Sequence, residues 1–380
     1  LTNHYDIAII GAGPAGATAA LALKDSRLSV VVIDKSTFPR DKICGDAIGG
    51  RVKKVLKEFP NGLYNGFENF QPKNLSRGWK LFSPNGKTIE VNFVNSGYIS
   101  KRLDFDDWLY SNLKNQKHIK LIEGADVTDI IKSGDCFTIV RNDSPINASL
   151  IIGCDGAQSI VAKRLANFKV DHRHYSGAVR AYYSNVEGTA NSEMLEIHLI
   201  KNYLPGYFWI FPLKNNLSNV GFGMLSKDIK ERRIDLKAAL KEIIRTTPHL
   251  QQRFANAELI DDVKGFGLPL GGKRRPLSGH RFMLCGDAAS LIDPLTGEGI
   301  GNAMLSGLMA AKQAIRCFEK NDFSAAAMAD YDKRVYRKLM PELRKNLILQ
   351  QLMNRPWLID FLVKTAEKNP RIKNWIAKQL

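Results

Sequence analysis

The segment Gly11-Ala12-Gly13-Pro14-Ala15-Gly16 constrains this chain more than any other. It follows a short apolar run, Tyr5 to Ile10, that reads as a buried parallel strand, and it opens an Ala/Leu-rich helix reaching about Lys24. Leu28 to Ile33 reads as a second buried strand, ending at Asp34. In this frame each glycine has its own task. Gly11 makes the tight strand-to-helix turn, Gly13 lets the backbone approach a pyrophosphate, and Gly16 lets helix and strand pack closely. Pro14 suits the first helical turn, where its missing N–H costs nothing. The free N–H groups and partial positive charge of that helix end favour phosphate. Asp34, with Lys35 beside it, is placed to take the ribose hydroxyls of an AMP moiety, and its charge disfavours a 2′-phosphate. An α/β fold with a Rossmann-type dinucleotide site is expected. The motif alone leaves FAD and NAD both open.

The 380 residues leave room for two domains or so. Five cysteines, odd in number and without a CxxC pair, argue against a disulfide framework or zinc site and for a reducing cytosol. The seven histidines are scattered and no HExxH occurs, so no metal is expected. No signal peptide is read, and no apolar run reaches the ~18 residues of a membrane-spanning helix. A cytoplasmic protein is expected, free or peripheral on the cytoplasmic face of a membrane. Its net charge of +17 is unevenly placed: residues 333–380 hold 12 Lys/Arg against 3 acids. Such a segment suits an anionic lipid surface, or is a solvated helical face. No nucleic-acid module accompanies it, and nucleic acid is not expected as a partner.

Further on, alternation of apolar and polar residues from Lys80 to Ser100, and again at Met194–Ile200, Tyr207–Leu213 and Ser218–Leu225, predicts an antiparallel sheet inserted into the nucleotide domain. Arg102 to Leu113 reads as helix, and Leu121 to Val127, Leu150 to Ile152 and Phe282 to Cys285 as strands. From Asn302 the pattern is helical, with Leu339, Leu343 and Leu347 on one apolar face and Leu358, Phe361 and Leu362 on another. Pro341, Pro356 and Pro370 should divide this tail into short helices. The expected boundaries are 1–78, 101–170 and 274–325 for the nucleotide domain, 79–100 and 171–273 for the substrate sheet, and 326–380 for a basic helical cap.

Two later strings identify the cofactor. Cys154-Asp155-Gly156 and Cys285-Gly286-Asp287 each follow a strand, and the second continues through Pro294 and Gly297-Glu298-Gly299 to a helix beginning near Ile300. With the first fingerprint, this order resembles the para-hydroxybenzoate hydroxylase-like flavoprotein superfamily of aromatic hydroxylases and geranylgeranyl reductases. The resemblance covers about residues 4–310 and implies FAD. It implies that Asp287, after Gly286, meets the ribityl chain, that Gly297, Gly299 and Ile300 lie at the flavin pyrimidine edge, and that Asp155 and Gly156 lie near the pyrophosphate. It also implies that Arg102, ahead of Phe105-Asp106, contacts FAD.

Two more segments narrow the resemblance to the geranylgeranyl reductases. One is Arg40-Asp41-Lys42-Ile43-Cys44-Gly45. The other is Tyr207-Phe208-Trp209-Ile210-Phe211-Pro212, followed by Gly221-Phe222-Gly223. The aromatic strand would wall an apolar channel over the flavin. The implied activity is hydride transfer from reduced flavin N5 to a C=C bond of an isoprenoid, with Cys44 or Tyr207 as proton source. Cys44 could equally be a small buried hydrophobe. A group A monooxygenase, a flavin halogenase and a flavin- or lipid-binding module without turnover are the alternatives. The chain has no second GxGxxG, so the electron donor, NAD(P)H or ferredoxin, stays open.

Overall fold

The computed structural model describes residues 4–369 except 61, 115 and 143. Arg371, Lys373 and Lys378 of the basic tail, and Pro370, lie outside the described residues. The fingerprint folds as its spacing requires. Strand β1 (His4–Ile10) feeds helix α1 (Pro14–Leu23), which returns to strand β2 (Val30–Ile33), parallel to β1. Ile7, Ala8 and Ile9 are fully buried. Gly11 adopts φ +97°, and a β-carbon there would strike the Cys154 carbonyl at the end of the neighbouring strand. At Gly16 it would strike the Gly11 carbonyl, so no larger residue allows this helix so close to its strand.

The first sheet runs Phe282–Leu284, Ile146–Gly153, β1, β2, Ile119–Ile122, all parallel, with short antiparallel strands at one side. Its strands come from three separated stretches of chain. A second, nine-stranded sheet fills the intervals, with strands Ala47–Ile48, Asn74–Phe82, Thr88–Ile99, Tyr175–Ser184, Met194–His198, Tyr207–Pro212, Leu217–Leu225, Glu258–Leu259 and Lys264–Pro269. Its pairings are antiparallel except where Met194–His198 meets Asn74–Phe82 in parallel. The expected 78/79 boundary falls inside Asn74–Phe82, which pairs along its length with Thr88–Ile99 and belongs whole to the second sheet.

The late helix Ile300–Lys320 packs across α1. A long helix, Ala325–Leu352, follows, capped by the Ser324 hydroxyl. Pro341 sits inside it and does not divide the tail there as expected. Proline removes one helical hydrogen bond at a cost of ~3 kcal/mol. Burial of Tyr331, Val335, Leu339 and Leu343 on one side of the helix offsets that loss. Pro356 does open a separate tail helix, Pro356–Lys368. This helix buries Ile359, Val363 and Ala366 against Ile89, Val91, Leu199 and Leu204, not the expected face of Leu358, Phe361 and Leu362. Its apolar residues surround the axis, so periodicity alone could not choose the inner side; Trp357 and Phe361 are 66% and 60% exposed.

Candidate active site

One cavity of about 1300 Å³ runs from the α1 end of the first sheet to the aromatic strand of the second. That exceeds the roughly 300–1,000 Å³ of an ordinary small-ligand pocket. Gly11, Gly13, Pro14, Ala15, Asp34, Lys35 and Arg40 line one part, with Arg102, Asp155, Gly156, Gly286 and Asp287. Pro294, Gly297, Gly299 and Ile300 follow, then Cys44, Gly45, Tyr207, Trp209, Phe211 and Gly223. Three expected residues stand behind the wall. Gly16 is spent on packing against Gly11, and Gly221 makes room for the Trp209 ring opposite it. Pro212 is on the other face of its strand, because side chains alternate and Tyr207, Trp209 and Phe211 share the cavity side.

The nucleotide end is built from backbone and fixed carboxylates. No side chain among the described residues caps α1 or the Ile300 helix, so both present free N–H groups. Asp34 accepts from Ala12 N (2.7 Å) and Ser36 N (2.9 Å), which hold it at the groove. Asp155 uses Oδ2 to cap the helix Ile160–Leu165, while its Oδ1 is buried without a partner among the described residues. Lys42 pairs with Asp287 at 3.2 Å. Arg40 and Arg102 both clamp Asp106. Burial opposes charge on Asp106 and Arg102, but the ion pairs outweigh it, lowering the carboxyl pKa and raising that of the guanidinium. Uncapped helix ends, a carboxylate held at the groove after β2 and an orphaned buried acceptor fit FAD.

The other end is built from side chains distant in sequence. Trp209 Nε1 donates to Asn219 Oδ1 (2.9 Å), and Asn219 Nδ2 donates to the Cys44 carbonyl (2.7 Å) and to Asp46 Oδ2 (2.8 Å). Tyr182 OH donates to the same Asp46 oxygen (2.7 Å), and Arg102 N to Oδ1. Burial pushes Asp46 up to about 6, against the pull of Asn219 and Tyr182. The fully buried Arg180 pairs with Asp41 and Asp261. The Cys44 segment is therefore bolted to the second sheet at Asp41, Cys44 and Asp46. Gly45 leaves space for the Phe211 ring, and Trp79 and Phe93 extend the aromatic wall. Tyr207 OH donates to Thr296 O (2.7 Å), and burial raises its pKa well above the phenol range. Sequence reasoning missed Asn219, Tyr182 and Arg180 as members of the site, since none lies in a motif, and it read Asp106 only as a marker for Arg102.

Fold and groove define an FAD-dependent oxidoreductase. Residues 175–266 match the geranylgeranyl reductase catalytic domain, and residues 5–160 match the pyridine nucleotide-disulphide oxidoreductase family. A digeranylgeranylglycerophospholipid reductase of Methanococcus aeolicus is 30% identical over 370 residues, covering 93% of this chain and 89% of that protein. The crystal structure of a geranylgeranyl bacteriochlorophyll reductase-like protein from Thermoplasma acidophilum superposes with a TM-score of 0.82 at 23% identity, covering 99% of each chain. A flavin-dependent brominase shares the fold at a TM-score of 0.79 and 20% identity, over 99% of this chain and 93% of its own. The chain belongs to the geranylgeranyl reductase family.

Proposed function

We propose that this enzyme saturates C=C bonds in the isoprenoid chains of a lipid. The observation that carries the reading is the continuity of the nucleotide groove with an aromatic wall of Tyr207, Trp209, Phe211, Trp79 and Phe93. When bound, reduced FAD supplies hydride to the alkene. The α1 N-terminus at Gly11, Gly13, Pro14 and Ala15 would take the diphosphate, and Asp34 with Lys35 the AMP ribose. Asp287 would face the ribityl chain and Gly297, Gly299 and Ile300 the pyrimidine edge. Asp155 and Gly156 would flank the diphosphate, while Arg40 and Arg102 shape that wall through Asp106. Tyr207 orders the Gly297 turn through Thr296, and Cys44 stands where cofactor and chain would meet. The apolar wall excludes water from the reacting bond.

The substrate is drawn from an anionic lipid surface by the C-terminal helices. Ile348 and Leu352 on the long helix and Trp357 and Phe361 on the tail helix are exposed large apolar side chains, with Arg344, Arg355, Lys364 and Lys368 exposed among them. Each base near such a surface contributes roughly 1 kcal/mol. Among the described residues no helix is long and apolar enough to cross a membrane. The test is anaerobic incubation of holoenzyme, chemically reduced, with prenyl lipids bearing different head groups, read by mass spectrometry. Gain of two hydrogens per double bond is expected, and unchanged chains with every head group defeat the reading. Oxygen uptake with a hydroxylated product would instead identify a monooxygenase. The same assay run with NADH, NADPH or reduced ferredoxin identifies the donor.

A further inference from the structure

The turn bearing Gly297 and Gly299 also carries a carboxyl group with no task in the preceding scheme. Glu298 lines the cavity, in a notch between Gly49 and Gly301. A β-carbon at Gly49 would strike its carboxylate, and one at Gly301 would lie 3.2 Å from Oε1. Among the described residues no hydrogen bond or ion pair reaches that carboxylate. Other acids of the site are engaged. Asp46 is held by Tyr182, Asn219 and the Arg102 N–H, Asp287 by Lys42, and Asp293 by Leu295, Thr296 and Asn346. The charged groups facing Glu298 are Arg51 on the helix Gly50–Leu56, Asp293 on its own loop and Glu342 on the long helix. Arg51 is spent on Glu342 (2.5 Å) and Asn302.

We propose that Glu298 is the catalytic acid of alkene reduction, its carboxyl giving the proton to the carbon that does not receive hydride. The inference rests on the isoprenoid reduction proposed above. One alkene carbon accepts hydride from the reduced cofactor. The π pair forms the second C–H bond with the Glu298 proton, and the O–H bond breaks to leave carboxylate. The alkene is reduced by two electrons, the cofactor is oxidised, and water restores the proton past the half-exposed Glu342. Burial pushes the Glu298 pKa up to about 7, Arg51 opposing and Asp293 and Glu342 adding to the rise, so the group holds a proton near neutral pH. Of the alternatives, Tyr207 is less suited, because its hydroxyl hydrogen is given to the Thr296 carbonyl.

The test uses FAD-loaded enzyme, reduced anaerobically and mixed with a prenyl lipid that the wild type reduces. Wild-type flavin reoxidation should slow as pH rises through about 7. E298Q should be slower by about 10²–10⁴-fold and lose that dependence, while E298D keeps part of the rate. Lipid affinity of E298Q should be unchanged. Independently of turnover, infrared spectra of the oxidised holoenzyme should show a protonated-carboxyl band that fades as pH rises through about 7 and is missing in E298Q. A wild-type rate and pH profile in E298Q, or no such band in the wild type, overturns the assignment. A wild type that shows the band but reduces no prenyl lipid overturns the substrate reading, and with it the proton's destination.

Discussion

The two ends of the cavity are made of different material. At the nucleotide end the groove is backbone: the uncapped start of α1, the Gly11 turn, and Asp34 held by Ala12 N–H. At the lipid end it is side chains: Trp209 tied through Asn219 to Cys44 and Asp46, and Asp46 to Tyr182. A common nucleotide can be held by groups that every chain possesses, given the right turn. A variable apolar chain needs a wall whose shape is set by specific residues, and those residues need bracing. Substitutions at one end should therefore act on cofactor affinity and at the other on substrate handling.

The largest effect is expected from Gly16→Val. Driving a side chain into the Gly11 carbonyl should cost about 3 kcal/mol or more and abolish the flavin absorbance of the purified protein. A yellow G16V protein with unchanged melting temperature would show that close helix packing is not what shapes the groove. Next, the pair His198 and Glu196 lies apart from both ends, in the second sheet. Burial, against the pull of Glu196, depresses His198 from 6.5 to about 4. The native state keeps it neutral, so the unfolded chain binds more protons between these values. Stability is then full above about pH 6.5 and falls by about 3 kcal/mol as pH drops toward 4. Denaturant melts at several pH values check this, and flavin affinity should hold until unfolding begins. Asn219→Ala should cost about 1–3 kcal/mol by leaving the Trp209 N–H and Asp46 short of partners. It should raise KM for lipid while FAD affinity stays within about threefold; equal loss of both would erase the distinction between the ends. The smallest effect belongs to Tyr207→Phe, which forfeits one hydrogen bond of about 1 kcal/mol to Thr296 and should leave a modest fall in kcat.

That division also explains what the sequence reveals. Gly11, Gly13 and Asp34 act through a turn made by their immediate neighbours, so spacing places them on one groove, whereas Gly286 and Asp287 were expected there only through the family resemblance. Tyr207, Trp209 and Phe211 were legible because a strand shows alternate residues to one face, although the same rule puts Pro212 on the far side. Asn219 is 175 residues from Cys44, and nothing local to either announces their bond. Glu298 sits in a recognised turn, yet reads as a spacer between glycines until Gly49 and Gly301 frame its carboxyl. Pro341 misleads because a local rule about proline yields to burial on the face around it.

The long helix shows opposite loyalties within about two turns. Asn346 and Gln350 reach inward to Asp293 and Pro294 at the base of the Gly297 turn, while Ile348 and Leu352 point to solvent. These residues share one rigid rod only about 10 Å across. Whatever grips its outer side tugs directly on the loop beneath, with no slack segment between them to absorb the strain.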